Sequence, residues 1–179
     1  MNLNYKHLGM YLLAGIASGL LFQFSGIIID IDLMFFSTNF TPAIILGIMI
    51  FLAGRYISGI TPRNSWLNPL ILILACGIGW VLAFQHGVTG GFYIGVIEAG
   101  IFGGLFVGIG LVFAWRLKRI WMIIMLTTLA GGLGGLVLVL PELFGFDDFF
   151  PLFITWQGIL LLGIGIAIQI DSRKSSIEE

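Results

Sequence analysis

Six long runs of apolar residues, separated by short polar stretches, make up most of the chain. The runs cover residues 8–29, 43–60, 69–86, 92–115, 121–140 and 152–170. At a rise of about 1.5 Å per residue, helices of this length cross roughly 30 Å of hydrocarbon, although the second is short for it. The pattern therefore predicts an all-α, polytopic membrane protein, a bundle of six transmembrane helices in one domain over residues 1–179.

Composition supports a membrane protein and excludes other classes. Mean hydropathy is +1.09 and only 9% of the residues are charged, which excludes a soluble domain and low-complexity disorder. The net charge of −1 gives no reason to expect a nucleic-acid partner. Cys76 is the only cysteine, so no intramolecular disulfide can form. The first run lacks an Ala-x-Ala-like cleavage site, so we expect a retained helix rather than a signal peptide.

The charged residues divide between the two ends of the predicted helices. One end carries all the cationic residues, namely Lys6, Arg55, Arg63, Arg116, Lys118, Arg119, Arg173 and Lys174. The opposite loops carry acids and no Lys or Arg, namely Asp30, Asp32, Glu142, Asp147 and Asp148. The positive-inside rule then places both termini in the cytoplasm. We expect a multi-pass protein of the cell inner membrane, with the lipid bilayer around it.

The fourth run carries a glycine stripe and an acidic residue in one helix. Gly100, Gly104 and Gly108 recur every fourth residue and share one helix face, which lets another backbone approach closely. Glu98 lies about 200° around the helix from Gly100. A carboxyl group is costly against lipid tails, so both faces are expected to meet protein or a wet cavity. The fourth helix is therefore predicted to be central.

A faint internal repeat relates the two halves of the sequence. Gly15 and Gly19 in the first run match Gly100 and Gly104 at an offset of 85 residues. Three spans are an odd number, so a true duplication would make a 3+3 inverted repeat. It predicts that the first and fourth helices cross near Gly19 and Gly104. Chance identity among small apolar residues is the alternative.

Polar side chains from three predicted helices fall at similar depth. Counting from the helix midpoints places Gln23, Glu98 and Gln157 in one layer of the outer half, with His86 nearer the outer mouth. One hypothesis is a polar pocket that binds a substrate or ion, in which Glu98 holds a cation or passes a proton. The alternative is a structural hydrogen bond from Glu98 to Gln23 or Gln157. His86 is either a pH sensor or an interfacial anchor.

Two further features allow more than one interpretation. Trp66, Trp115 and Trp121 are expected to form an aromatic belt at the inner interface. Trp80 and Trp156, inside their spans, either line the pocket or face lipid. The fifth run contains Gly131, Gly132, Gly134 and Gly135, which favour either a break in the helix or close packing of small residues.

Signatures of catalysis are not found in the sequence. It has no Gly-x-Ser-x-Gly elbow, no His-Glu-x-x-His and no P-loop. With one deep acid, two histidines and one cysteine, a metal site of protein ligands is not expected. We predict that the protein is not an enzyme and uses no cofactor or metal.

Two functions of different classes remain. The first is passage of a small solute or ion, with proton coupling left open. The second is a substrate-binding or structural subunit of a larger membrane complex. Six spans, inside termini, and Ala14 and Ser18 spaced four apart resemble the substrate-capturing component of energy-coupling-factor vitamin transporters. That resemblance implies an external pocket capped by the loop 30–41 and a helix face that docks a membrane partner. A homo-oligomer would favour passage, and a different membrane partner subunit would favour the second function.

Overall fold

The structure is a computed structural model that describes residues 3–28, 34–64, 66–89, 92–143 and 152–173. Within these residues the fold is all-helical, with one isolated bridge between Pro62 and Trp115. The helices are α1 (Tyr5–Ile28), α2 (Met34–Tyr56), α3 (Leu67–Thr89), α4 (Phe92–Ala114), α5 (Ile120–Leu143) and α6 (Leu152–Arg173). Three segments of the described chain are long and apolar enough to cross a membrane, namely Ile94–Ala114, Ile120–Val137 and Phe153–Ser172. This indicates a membrane protein.

The helices form a ring in chain order. Each helix packs mainly against the helices before and after it, and α6 returns to pack against α1. Side chains from different helices fill the interior, including Ile50, Leu72, Leu111 and Leu160. Chain neighbours in such a ring run in opposite directions.

The starts of α1, α3 and α5 meet the ends of α2, α4 and α6 at one end of the ring. There the Asn4 backbone N–H donates to Oε1 of Gln169 at 2.8 Å, and the Arg63 N–H donates to the Ala114 carbonyl oxygen at 3.2 Å. The cationic residues of the described chain lie in or beside these helix ends, namely Lys6, Arg55, Arg63, Arg116, Lys118, Arg119 and Arg173. We call this the basic end.

The helix bounds differ from those predicted by up to three residues in most helices and by nine at the start of α2. α2 begins at Met34 rather than at Ala43, so Pro42 lies inside the helix, and residues 34–41 are helical rather than loop. α5 continues through Pro141 to Leu143, and it is unbroken at its four glycines. A proline removes one backbone donor but is tolerated in apolar helices whose neighbours support them, so neither proline marks a boundary. Residues 30–33 of the loop 30–41, and Asp147 and Asp148, lie outside the described residues.

Trp115 and the fourth helix occupy places that differ from the predictions. Trp66 and Trp121 are highly exposed, but Trp115 is 0% exposed. Its indole is accommodated because Gly54 on α2 has no side chain to displace it. The most enclosed candidate span is in α6, with 56% of its apolar window buried against 39% in α4. α4 packs on α3 and α5, whereas α6 lies more within the fold.

The predicted crossing of the first and fourth helices is wrong. Gly19 lies against Ile154 of α6, and Gly104 lies against Thr127 of α5. In a 3+3 repeat, α1 is equivalent to α4, and α6 is equivalent to α3. The contact of α1 with α6 would then be equivalent to the contact of α4 with α3. The matched glycines instead contact non-equivalent neighbours. Their identity in sequence therefore does not correspond to shared contacts.

Candidate functional site

Glu98 lies on a different side of α4 from the glycine stripe. A Cβ on Gly100 would meet the carbonyl oxygen of Gly131 on α5, so this face is in backbone contact with α5. Glu98 is half-buried, and the side chains four residues before and three after it, Ile94 and Ile101, are 65% and 39% exposed. Because residues three and four apart share a helix face, Glu98 lies near the outward surface of the ring.

Gln157 has a different environment, since its side chain is 0% exposed. Six polar side chains of the described residues are buried, namely Ser18, Asn68, Thr127, Gln157, Gln169 and Asp171. Four of them hydrogen-bond to backbone groups; Thr127, for example, donates to the Ile123 carbonyl oxygen at 2.9 Å. Ser18 Oγ and both amide atoms of Gln157 have no hydrogen-bond partner within the described structure.

Glycines on α1 bring Ser18 and Gln157 to neighbouring levels. A Cβ on Gly15 would lie 2.7 Å from Cα of Gly158, and a Cβ on Gly19 would lie 2.5 Å from Cα of Ile154. Both distances leave no room for a Cβ atom, so α1 and α6 cross in backbone contact. Gly19 is thus level with Ile154, and Ser18 is about one or two residues, roughly 3 Å, from the level of Gln157.

Three aromatic rings meet beside this crossing. The ring centroids of Phe22 on α1 and Phe153 on α6 are 4.8 Å apart. Trp80 on α3 lies 5.6 Å from Phe153 and 6.2 Å from Phe22. We call these three residues the aromatic cluster. The indole Nε1 of Trp80 is buried and, within the described structure, has no hydrogen-bond acceptor.

Each residue of the aromatic cluster has a small or polar residue one turn away on the same helix face. Ser18 precedes Phe22 by four residues, Cys76 precedes Trp80 by four, and Gln157 follows Phe153 by four. α1 and α3 run away from the basic end and α6 runs towards it. All three residues therefore lie on the side of the aromatic cluster that faces the basic end. We call Ser18, Cys76 and Gln157 the polar layer.

Trp156 packs on the other side of α6, against α4 and α5. Its indole covers Gly103 and Gly134, and its Nε1 donates to the Gly131 carbonyl oxygen at 3.3 Å. This hydrogen bond pairs the indole N–H, in contrast to that of Trp80. Both tryptophans thus face other helices rather than the outward surface.

The polar layer and the indole of Trp80 offer groups that can form hydrogen bonds. The described residues contain no group of three or more His, Cys, Asp or Glu side chains close enough to hold a metal ion. The amide of Gln157 offers donors and an acceptor, Ser18 offers one hydroxyl, and Trp80 offers one donor. The groups can bind a polar partner without transferring charge.

The sequence predicts that Gln157 lies in the outer half of the membrane, but it does not predict that Ser18 and Trp80 lie near it. From the sequence, Ser18 is predicted only to be a small residue on a docking face. The available signal was the four-residue spacing of a polar and an aromatic residue in both α1 and α6. The side chains of Gln23 and His86 lie outside the described residues. No protein-family model, curated protein or solved structure matches this chain.

Proposed function

We propose that the chain is a six-span protein of the cell inner membrane that passes a small solute or ion through its ring of helices. The outward surface supports the membrane setting. Met125, Leu129, Leu133 and Leu136 follow one face of α5, and all four are exposed. Soluble monomers rarely expose contiguous apolar faces of this kind, whereas lipid tails cover them without cost.

The basic end sets the proposed orientation. Its cationic side chains include Arg55, Arg63 and Lys118, all exposed. Cytoplasmic loops carry an excess of Lys and Arg, so this end would face the cytoplasm, with both termini on that side. The polar layer is reached from the other side through the aromatic cluster.

Gln157 is the observation that carries the proposal of passage. A buried amide without a partner costs about 1 to 3 kcal/mol, more in surroundings that exclude water. Four other buried polar side chains avoid this cost by bonding to the backbone, namely Asn68, Thr127, Gln169 and Asp171. Within the described structure, Ser18 Oγ and the indole N–H groups of Trp80 and Trp115 are unpaired as well. An unpaired amide is expected where a solute supplies the missing hydrogen bonds while it is bound.

The alternative, a subunit that docks on another protein, has less support. It requires a small-residue face left uncovered by the chain's own helices. Instead, Gly158 meets the side chains of Leu12 and Ile16, and Gly165 meets the ring of Tyr11. The small residues Gly158 and Gly165 on α6 are thus covered by side chains of α1.

Glu98 has a different proposed role from Gln157. It is half-buried near the outward surface, apart from the enclosed amide of Gln157. Proton coupling would then depend on Glu98, and solute binding on Gln157. The variants E98Q and Q157M separate these two roles.

The test is flux through the purified protein in liposomes. A panel of urea, acetamide, glycerol, K⁺ and H⁺ would be followed by light scattering for the uncharged solutes and by dyes for the ions. We expect at least one member to cross faster than through protein-free vesicles, and Q157M to remove that difference. Methionine keeps a similar volume without the amide.

Two results would contradict the proposal. One is a wild-type flux equal to that of protein-free vesicles for the whole panel. The other is a stoichiometric membrane partner, identified by mass spectrometry after gentle purification from native membranes, together with an absence of flux. The second result would favour the alternative function, a subunit of a larger membrane complex.

A further inference from the structure

We propose that the polar layer binds a small uncharged solute that carries a carbonyl oxygen next to an N–H group, as urea and simple amides do. This rests on the proposed function, because it names the class of solute that passes. The site consists of Gln157, Ser18 and the indole N–H of Trp80, with the aromatic cluster as its outer cover. None of these groups carries a formal charge.

An ion is a poor match for this site. Desolvating an ion costs several kcal/mol after relaxation, and the cost is offset only by a counter-charge or by many oxygen ligands. The polar layer provides the amide oxygen of Gln157 and the hydroxyl of Ser18 as side-chain oxygens. Half-buried Glu98, on α4, sits near the outward surface, and Asp171 accepts backbone N–H bonds at the basic end. An uncharged solute requires no such compensation.

The amide of Gln157 favours a solute that has a hydrogen-bond donor next to an acceptor. A glutamine amide places an acceptor and a donor side by side, so it pairs in two hydrogen bonds with a partner that has a donor beside an acceptor. Ser18, about 3 Å away along the helix axes, can donate or accept a third bond. A polyol such as glycerol can meet these groups only one at a time.

The aromatic cluster limits what enters. Its three rings contact one another in edge or tilted arrangements, with centroid distances of 4.8, 5.6 and 6.2 Å. Only the Trp80 ring carries a donor, and its Nε1 has no acceptor among the described residues. A solute carbonyl oxygen can accept from this N–H as it passes between the rings. Entry therefore favours small planar solutes with a carbonyl group.

The experiment compares rates of urea, acetamide, glycerol and K⁺ entry into proteoliposomes of wild type, Q157M, Q157N and S18A. We expect urea and acetamide to enter at least about tenfold faster than glycerol relative to protein-free vesicles, which corresponds to about 1.4 kcal/mol. Q157M should remove this preference, and Q157N, which keeps the amide, should retain part of it. S18A should reduce it.

Gln169 provides a matched control on the same helix. It is also a buried glutamine, but its amide exchanges two hydrogen bonds with the backbone of Asn4, at 2.8 and 3.2 Å. Q169M should lower the thermal stability and leave the ratio of urea to glycerol entry unchanged. Q157M should leave thermal stability equal or higher, because it removes unpaired polar atoms.

The outcomes separate the two proposals. Flux of K⁺ or glycerol without a preference for urea and acetamide would overturn the solute class and leave passage standing. No flux for any solute would overturn both. A Q157M protein that unfolds at lower temperature and keeps its urea preference would show that Gln157 is structural, and would also overturn the assigned site.

Discussion

The indole of Trp115 lies where a Cβ on Gly54 would be, so α2 and the end of α4 fit together only because position 54 has no side chain. Trp115 is fully buried and belongs to the main core cluster. G54A should force this rigid ring to move and destabilise the protein by about 1 to 3 kcal/mol. Labelling of Cys76, the buried and only cysteine, during unfolding would measure the change.

Gly9 offers the control for that substitution. It also lies in a helix, but no atom outside its own helix backbone lies within 4 Å of a Cβ built there. G9A should therefore be neutral or stabilise by up to about 1 kcal/mol, the difference in helix propensity between glycine and alanine. Equal destabilisation by G54A and G9A would contradict the contact with Trp115.

Tyr11 and Ser58 share a hydrogen bond of 2.8 Å that joins α1 to the end of α2. Y11F and S58A should each reduce the free energy of unfolding by about 1 kcal/mol. The double variant should cost less than the sum, because the same hydrogen bond is lost in each case. A coupling energy of zero in this double-mutant cycle would show that the bond does not contribute to stability.

Asp171 links the end of α6 to the start of α5. Its Oδ1 accepts the backbone N–H groups of Lys118 at 3.0 Å and Arg119 at 2.7 Å. D171A leaves both donors unpaired, so we expect a loss of about 2 kcal/mol in thermal or denaturant unfolding. Ser172 is the exposed neighbour for comparison. Its hydroxyl donates to the Gln169 carbonyl oxygen at 3.1 Å, so S172A should lose this one hydrogen bond and cost less than D171A.

The orientation proposed for the membrane is testable with single cysteines. Lys118 is exposed at the basic end, and Gln85 is exposed near the opposite end of α3. A membrane-impermeant maleimide added to intact cells should label Q85C and leave K118C unlabelled, with the reverse in inverted vesicles. Cys76 is buried and should contribute little background. Labelling of K118C in intact cells would show that the orientation is the reverse of the one proposed.

The number and order of the helices follow from the apolar runs, but their exact bounds and the faces that meet do not. Apolar runs of about 20 residues predict helices because unsatisfied backbone groups are too costly in apolar surroundings. A helix that is apolar all round contains little information on rotation about its axis. Depth could therefore be counted for Gln157 and Glu98, while their environments, enclosed and half-buried, could not be separated.

Glycines illustrate the same limit. The sequence indicated that Gly19 and Gly104 allow close contact, but not with which helix. Their neighbours are Ile154 and Thr127, on α6 and α5. A glycine permits an approach without specifying the partner, which depends on the side chains that the other helices can bring. The burial of Trp115 could not be predicted for the same reason. It depends on Gly54, which is 61 positions away in the sequence.

Closure of the ring by α1 and α6 has a consequence for synthesis. The first helix leaves the ribosome long before the last, yet its face at Gly15 and Gly19 is in contact with α6. Until then this face meets lipid, the insertion machinery or another chain. The last helix therefore determines when the ring closes, and a nascent chain truncated before residue 152 would lack the contact between α1 and α6.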